Sequence, residues 1–137
     1  MRLRAIGAAL ALGSVIMLAG CGGSSSYTDS ARSAVKHMAS AVRTYNSSRI
    51  NDVATTGVVC KSALHGLSSD TTLATQSAPA QYKQLGAALR HAYQSARAGF
   101  ADCAAAAAAL DFRRMARADT EIAAANAWIA RARRLDH

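Results

Sequence analysis

The side chains able to do chemistry in this 137-residue chain are few and widely spaced. Its histidines are His37, His65, His91 and His137, and no two stand three or four residues apart, so no helix face can present a pair to a metal. Glu121 is the only glutamate, and a di-iron carboxylate bundle, which draws Glu ligands from all four helices, is therefore excluded. Met38 or Met115 could join a histidine on a haem, but a methionine on an apolar stripe is ordinarily core. Zinc-type cysteine and histidine spacings, a G-x-S-x-G nucleophile turn and a phosphate-cradling glycine loop are all missing from the sequence. The chain is expected to be non-enzymatic, with neither metal nor cofactor.

The cysteines carry more. Cys21 closes an apolar stretch over residues 5–18, which follows the basic Arg2 and Arg4. A charged start and an apolar run too short to cross a bilayer comfortably form the pattern of a removable export signal. The four residues Leu18-Ala19-Gly20-Cys21 resemble the lipobox of bacterial lipoproteins, a resemblance confined to residues 1–26. It implies cleavage before Cys21, a diacylglycerol on that thiol and a further acyl chain such as palmitate on the new amino group. It also implies a lipid-anchored protein at the cell membrane, facing outside the cytoplasm. Residues 22–26, Gly-Gly-Ser-Ser-Ser, then read as a flexible tether with an r.m.s. reach of roughly 12 Å.

With Cys21 given to lipid, Cys60 and Cys103 are the two thiols left, in a compartment where disulfides persist. A disulfide between them is the favoured reading; two separate buried thiols are the other. In a tight hairpin Cys60 would face Gly86, about 25 Å along the helix axis from Cys103. A disulfide therefore requires residues 68–78 to run back along the bundle, so that the first two helices pack on the distal half of the third.

Four segments must position these groups. Ala31, Val35, Met38, Val42 and Tyr45 recur at helical spacing, with Arg32, Lys36 and Arg43 off the stripe. Ser48 is the expected cap of a second helix carrying Ile50, Val53, Gly57, Cys60, Leu64 and Leu67. Residues 66–77 are rich in Ser, Thr and Gly and read as a loop docked only by Leu73. Pro79 opens a long third helix with Leu85, Leu89, Ala92, Ala96, Gly99, Cys103, Ala106 and Leu110 inward. Asp111 caps a fourth, whose inner side holds Phe112, Met115, Ile122, Ala125, Ile129 and Ala132. The expected fold is all-α: a four-helix bundle with a long loop between helices two and three, stapled by one disulfide. Residues 27–137 form its single domain, after a signal peptide at 1–20 and the lipidated Cys21 with its tether at 21–26.

Loss of Arg2 and Arg4 lowers the basic count from 16 to 14 against 8 acids, a net charge of +6 with histidine neutral. Outside the cytoplasm the polyanion to meet is an anionic lipid or a wall polymer rather than nucleic acid. Arg113, Arg114 and Arg117 form one basic cluster, Arg131, Arg133 and Arg134 another; both read first as solvated faces, with Arg117 paired to Glu121 one turn on. Trp128 reads as a plug over small alanines. The Ala- and Arg-rich composition is similar to that of small helical lipoproteins of actinobacteria, a likeness that carries over no functional residue. The sequence thus points to a lipid-anchored, non-enzymatic module that binds a protein or an envelope polymer. The alternative is a carrier of a small apolar ligand or lipid, suggested by Tyr82, Tyr93, Phe100, Phe112 and Trp128 set among many alanines.

Overall fold

The computed structural model describes residues 22–49 and 52–137, with side chains from Ser26 onward. The signal segment, Cys21 and Ile50 lie outside the described residues. Helix α1 spans Gly22–Ser48, α2 Val53–Gly66, α3 Thr71–Thr75, α4 Lys83–Ala109 and α5 Phe112–Leu135. The fold is all-α, a four-helix bundle of α1, α2, α4 and α5 with a long connection between α2 and α4, stapled by the Cys60–Cys103 disulfide. Among the described residues there is no strand.

Helix α1 buries Tyr27, Ala31, Val35, Met38, Val42 and Tyr45, and leaves Arg32, Lys36 and Arg43 exposed. It reaches back through residues 22–26, the stretch whose composition suggests a tether. Propagating a helix that a packed face has already nucleated needs no second nucleus, so weak helix formers can extend it. Ser48 does not cap the second helix. It ends α1 with its hydroxyl donating to the Tyr45 carbonyl, and the cap is Asp52. Asp52 is extended at φ −153°, and its carboxylate accepts the Thr55 amide at 2.7 Å and the Thr55 hydroxyl at 2.6 Å. Those bonds hold the Asp52 carboxyl below its ordinary range.

Residues 67–75 are not loop. A 3-10 turn over Leu67–Asp70 leads into α3, with Leu67 and Ala74 as the buried anchors and Leu73 only half-buried. The polar residues that signal a loop here bond their own backbone: the Ser69 hydroxyl donates to the Gly66 carbonyl at 2.9 Å and Thr75 to the Thr71 carbonyl at 2.8 Å. Thr71 also shares a 2.7 Å hydrogen bond with the Tyr93 hydroxyl, tying the segment to α4.

Four contacts give the register of this connection. Gly57 lies against Ala107, Cys60 is bonded to Cys103, Thr71 meets Tyr93, and Ala78 touches Gly86. One chain climbs as the other descends, so α2 lies on the distal half of α4 and the connection lies on its proximal half, with the turn near Tyr82. Helix α1 runs parallel to α4, with Tyr27 stacked on Tyr82 and Tyr45 edge-on to Phe100. It runs antiparallel to α5, where Arg32 meets Asp136 and Tyr45 meets Asp119. Neighbours therefore alternate in direction around the bundle.

At Gly99 a Cβ would stand 2.6 Å from Ile122 Cγ1 and 3.0 Å from the Ile122 backbone nitrogen. Helices α4 and α5 meet there nearly backbone to backbone. At Gly66, by contrast, the nearest atom is the movable His37 ring at 3.4 Å. Gly99→Ala is therefore expected to destabilise by about 1–3 kcal/mol through overpacking, whereas Gly66→Ala gains up to about 1 kcal/mol of helix propensity. Urea denaturation of the two variants checks this, and a stabilised Gly99→Ala would contradict the close approach.

The staple closes a loop with a sequence separation of 43 and a Cα–Cα distance of 6.0 Å, within the ordinary range for a disulfide. In the chain-entropy description such a loop contributes about 4 kcal/mol. The Cys60→Ser/Cys103→Ser chain is expected to keep its helix content and to melt roughly 15 °C lower. An unchanged melting temperature would remove the staple from the account.

Candidate functional site

The bundle has two chemically different ends. The proximal end gathers the start of α1, the turn into α4 and the end of α5, as the contacts Tyr27–Tyr82 and Arg32–Asp136 show. The distal end holds the α1–α2 and α4–α5 turns. The six arginines singled out in the sequence divide between them. Arg113, Arg114 and Arg117 are distal and Arg131, Arg133 and Arg134 proximal, about 27 Å apart along α5. They do not form one surface.

At the distal end Arg114 donates from Nε to Asp102 of α4 at 2.8 Å, and Arg117 approaches the same carboxylate at 3.9 Å. The pairing expected between Arg117 and Glu121 is replaced by this bridge between helices. Arg113 is exposed. Next to it is the turn that joins α4 to α5 through Leu110 and Asp111 alone. Asp111 caps α5 by accepting the Arg114 amide at 3.0 Å, as the sequence indicates. Leu110, expected on the inner face of α4, instead ends it in the left-handed region at φ 54°, with its side chain 64% exposed. The left-handed turn reverses the chain within two residues and lets the Asp111 amide donate to the Ala106 carbonyl at 3.0 Å. Phe112, also expected inside, is 73% exposed, because it precedes the first turn of α5 that meets α4. Two large apolar side chains thus flank the cap.

At the proximal end Arg133 shares a groove of about 250 Å³ with Arg32 and Lys36, above a floor of Ala31, Val35 and Leu85. Arg32 is held by Asp136 at 2.6 Å. Arg131 lies over the Trp128 ring at 5.3 Å, and Trp128 stacks on His91 at 4.5 Å. The indole is half-buried on the outer α4–α5 seam, sandwiched by ring and guanidinium rather than plugging the interior.

The aromatics that suggest a ligand cavity are likewise engaged one by one. Phe100 is fully buried against Tyr45, Tyr93 bonds Thr71, Tyr82 stacks on Tyr27, and Phe112 stands at the distal turn.

One cluster brings together catalytic residue types. His37 Nδ1 lies 2.9 Å from Asp70 and 3.5 Å from the Ser69 hydroxyl. Burial raises the Asp70 carboxyl from its ordinary value, partly opposed by His37. A nucleophile and its orienting acid must use opposite nitrogens of the imidazole, and here both face the same one. The Ser69 hydroxyl moreover donates to the Gly66 carbonyl. The cluster is a clasp between α1 and the connection. Among the described residues no group of three or more His, Cys, Asp or Glu is placed to hold a metal ion, and no helix is long and apolar enough to cross a membrane.

A second clasp closes the distal half. The Tyr45 hydroxyl donates to Asp119 of α5, whose other oxygen takes Arg49 at 2.9 Å, and the Arg49 guanidinium lies over the Tyr45 ring at 5.7 Å. Burial first, then this bond, raises the Tyr45 phenol well above its ordinary value, so it stays a donor. No periodicity signals that partnership, since the two residues are 74 positions apart.

In comparisons with known proteins, no family model, curated sequence or solved structure matches this chain. The reading of the site rests on its own geometry.

Asp119→Ala leaves the buried Tyr45 hydroxyl without its acceptor and should cost about 1–3 kcal/mol. In a Tyr45→Phe background the same change should cost clearly less. A double-mutant cycle by denaturant unfolding measures the difference, and equal costs in both backgrounds would show that the two groups do not act together.

Proposed function

We propose that this protein is a lipid-anchored, non-enzymatic helical module that presents its distal turn to another protein at the outer face of the cell membrane. The anchor is the reading of Leu18-Ala19-Gly20-Cys21 as a lipobox, with diacylglycerol on Cys21. Helix α1 starts at Gly22, immediately after that cysteine, so the proximal end is the tethered one. The distal turn then stands about 40 Å away along a 27-residue helix.

The observation that carries the partner reading is Leu110. A left-handed backbone costs a leucine roughly 1–2 kcal/mol that glycine would avoid, and here the side chain is exposed beside an exposed Phe112. The left-handed backbone serves the turn, but nothing in the fold calls for a leucine there or for its exposed side chain. A leucine kept there beside Phe112 makes sense where the turn is covered by a partner, and an exposed aromatic with an arginine next to it, here Arg113, is a combination enriched at protein interfaces.

The tests separate anchor from partner. The protein isolated from its own membranes should begin at Cys21 and carry the mass of the attached lipid; a chain retaining residues 1–20 without lipid would overturn the anchor. A photo-crosslinking residue at Phe112 should give one reproducible adduct in intact cells, and the same residue at Lys61 should not. Leu110→Gly should raise stability by about 1 kcal/mol while abolishing the adduct. If the adduct survives this change, or if only abundant bystanders are captured, the turn is not the docking point.

A further inference from the structure

We propose that the proximal end of the bundle docks on an anionic phospholipid bilayer, so that the protein stands end-on at the surface rather than swinging on its anchor. Residues 26–36, 80–90 and 130–137 carry seven Lys and Arg against two acids, Asp29 and Asp136, a local net charge of +5. The remaining described residues carry seven against six, a net charge of +1. The excess charge is thus concentrated at one end of the bundle.

The pairing pattern sharpens the contrast. Distally, Arg49 pairs with Asp119, and Arg114 and Arg117 share Asp102. Proximally, Arg32 alone is in an ion pair among the described residues, so Lys36, Lys83, Arg90, Arg133 and Arg134 keep their charge for an external anion. Helices α1 and α4 begin at this end and α5 finishes there, so the helix dipoles leave one positive end in excess.

The groove between α1 and α5 sets Lys36 and Arg133 above an apolar floor. Asp136 also lines it, with its Oδ2 paired to Arg32. A phosphatidylglycerol headgroup offers a phosphate for the free cations. The acyl chains on Cys21 would hold the protein at the surface without orienting it, and a basic patch beside them adds attraction to anionic lipid.

The biological setting rests on the anchored reading above, but the test does not. All the contacts described lie within residues 22–137, so the chain from position 21 carrying Cys21→Ser is used, which cannot be lipidated. It should cosediment with phosphatidylglycerol vesicles and not with phosphatidylcholine vesicles, and binding should fall as salt is raised. Lys36→Ala/Lys83→Ala/Arg134→Ala should weaken partition on the order of 100-fold, from roughly fivefold per basic residue at the surface. Arg43→Ala/Lys61→Ala/Arg97→Ala removes the same charge away from the proximal end and should leave it within a fewfold. Equal losses in the two triples would mean that net charge alone is sensed and would overturn the proposal. So would binding to neutral vesicles, no binding to anionic ones, or equally tight binding of soluble polyphosphate. None of these results bears on whether Cys21 is lipidated in cells.

Discussion

The bond between Cys60 and Cys103 fixes the register from which the rest of the structure follows. It sets α2 against the distal half of α4, which leaves the chain from Leu67 to Tyr82 to cover the proximal half. Helix α2 is the weakest of the long elements, with 14 residues, an internal glycine and the β-branched Thr55, Thr56, Val58 and Val59. An isolated helix of that length is marginal in water. The covalent link, the Asp52 cap and the Gly57–Ala107 approach together hold it in place.

The second constraint is thinness. Ala92, Ala96, Cys103 and Ala106 on α4 and Ala118, Ala125 and Ala132 on α5 are all buried, so the core gains its density from close axes rather than from large side chains. Gly99 against Ile122 is the extreme case. Such a core buries little apolar area per residue, and polar clasps at the two levels of α1, His37 with Asp70 and Tyr45 with Asp119, complete its attachment. The larger apolar groups that could have thickened the core, Leu110 and Phe112, are spent at the distal turn instead.

Much of this was legible in the sequence, and the rest was hidden for physical reasons. The stripe from Ala31 to Tyr45, the cap at Asp111 and the need for residues 68–78 to run back along the bundle all follow from helical spacing and the cysteine pair. The errors fall at helix ends, where periodicity gives no information. Ser48 and Asp52 are both good caps, and only backbone geometry chooses between them. Leu110 and Phe112 continue an apolar pattern beyond the point where it meets another helix, and Asp111 between them was the available signal that the chain turns there. Residues 67–75 look like a loop because Ser and Thr compete with helical bonding, yet here those hydroxyls bond carbonyls within the turn. The pairing of Arg114 with Asp102 and of Tyr45 with Asp119 depends on how helices meet, and no local pattern encodes it.

Register and charge together give the molecule a direction. The end at which α1 begins is basic and largely unpaired, and the opposite end is nearly neutral and carries exposed apolar side chains on a rigid turn. Under the proposed function, with the first end tethered and the second read by a partner, the bundle would act as a short spacer whose length is that of α4. The direct measurement is energy transfer from a dye at the distal turn, and separately from one at Gln84, to an acceptor in the bilayer, with the lipidated protein on phosphatidylglycerol vesicles. An end-on spacer predicts strong transfer from Gln84 and a separation of about 40 Å for the distal dye. Equal transfer from both positions would mean that the bundle lies flat, and the account of its two ends would be wrong.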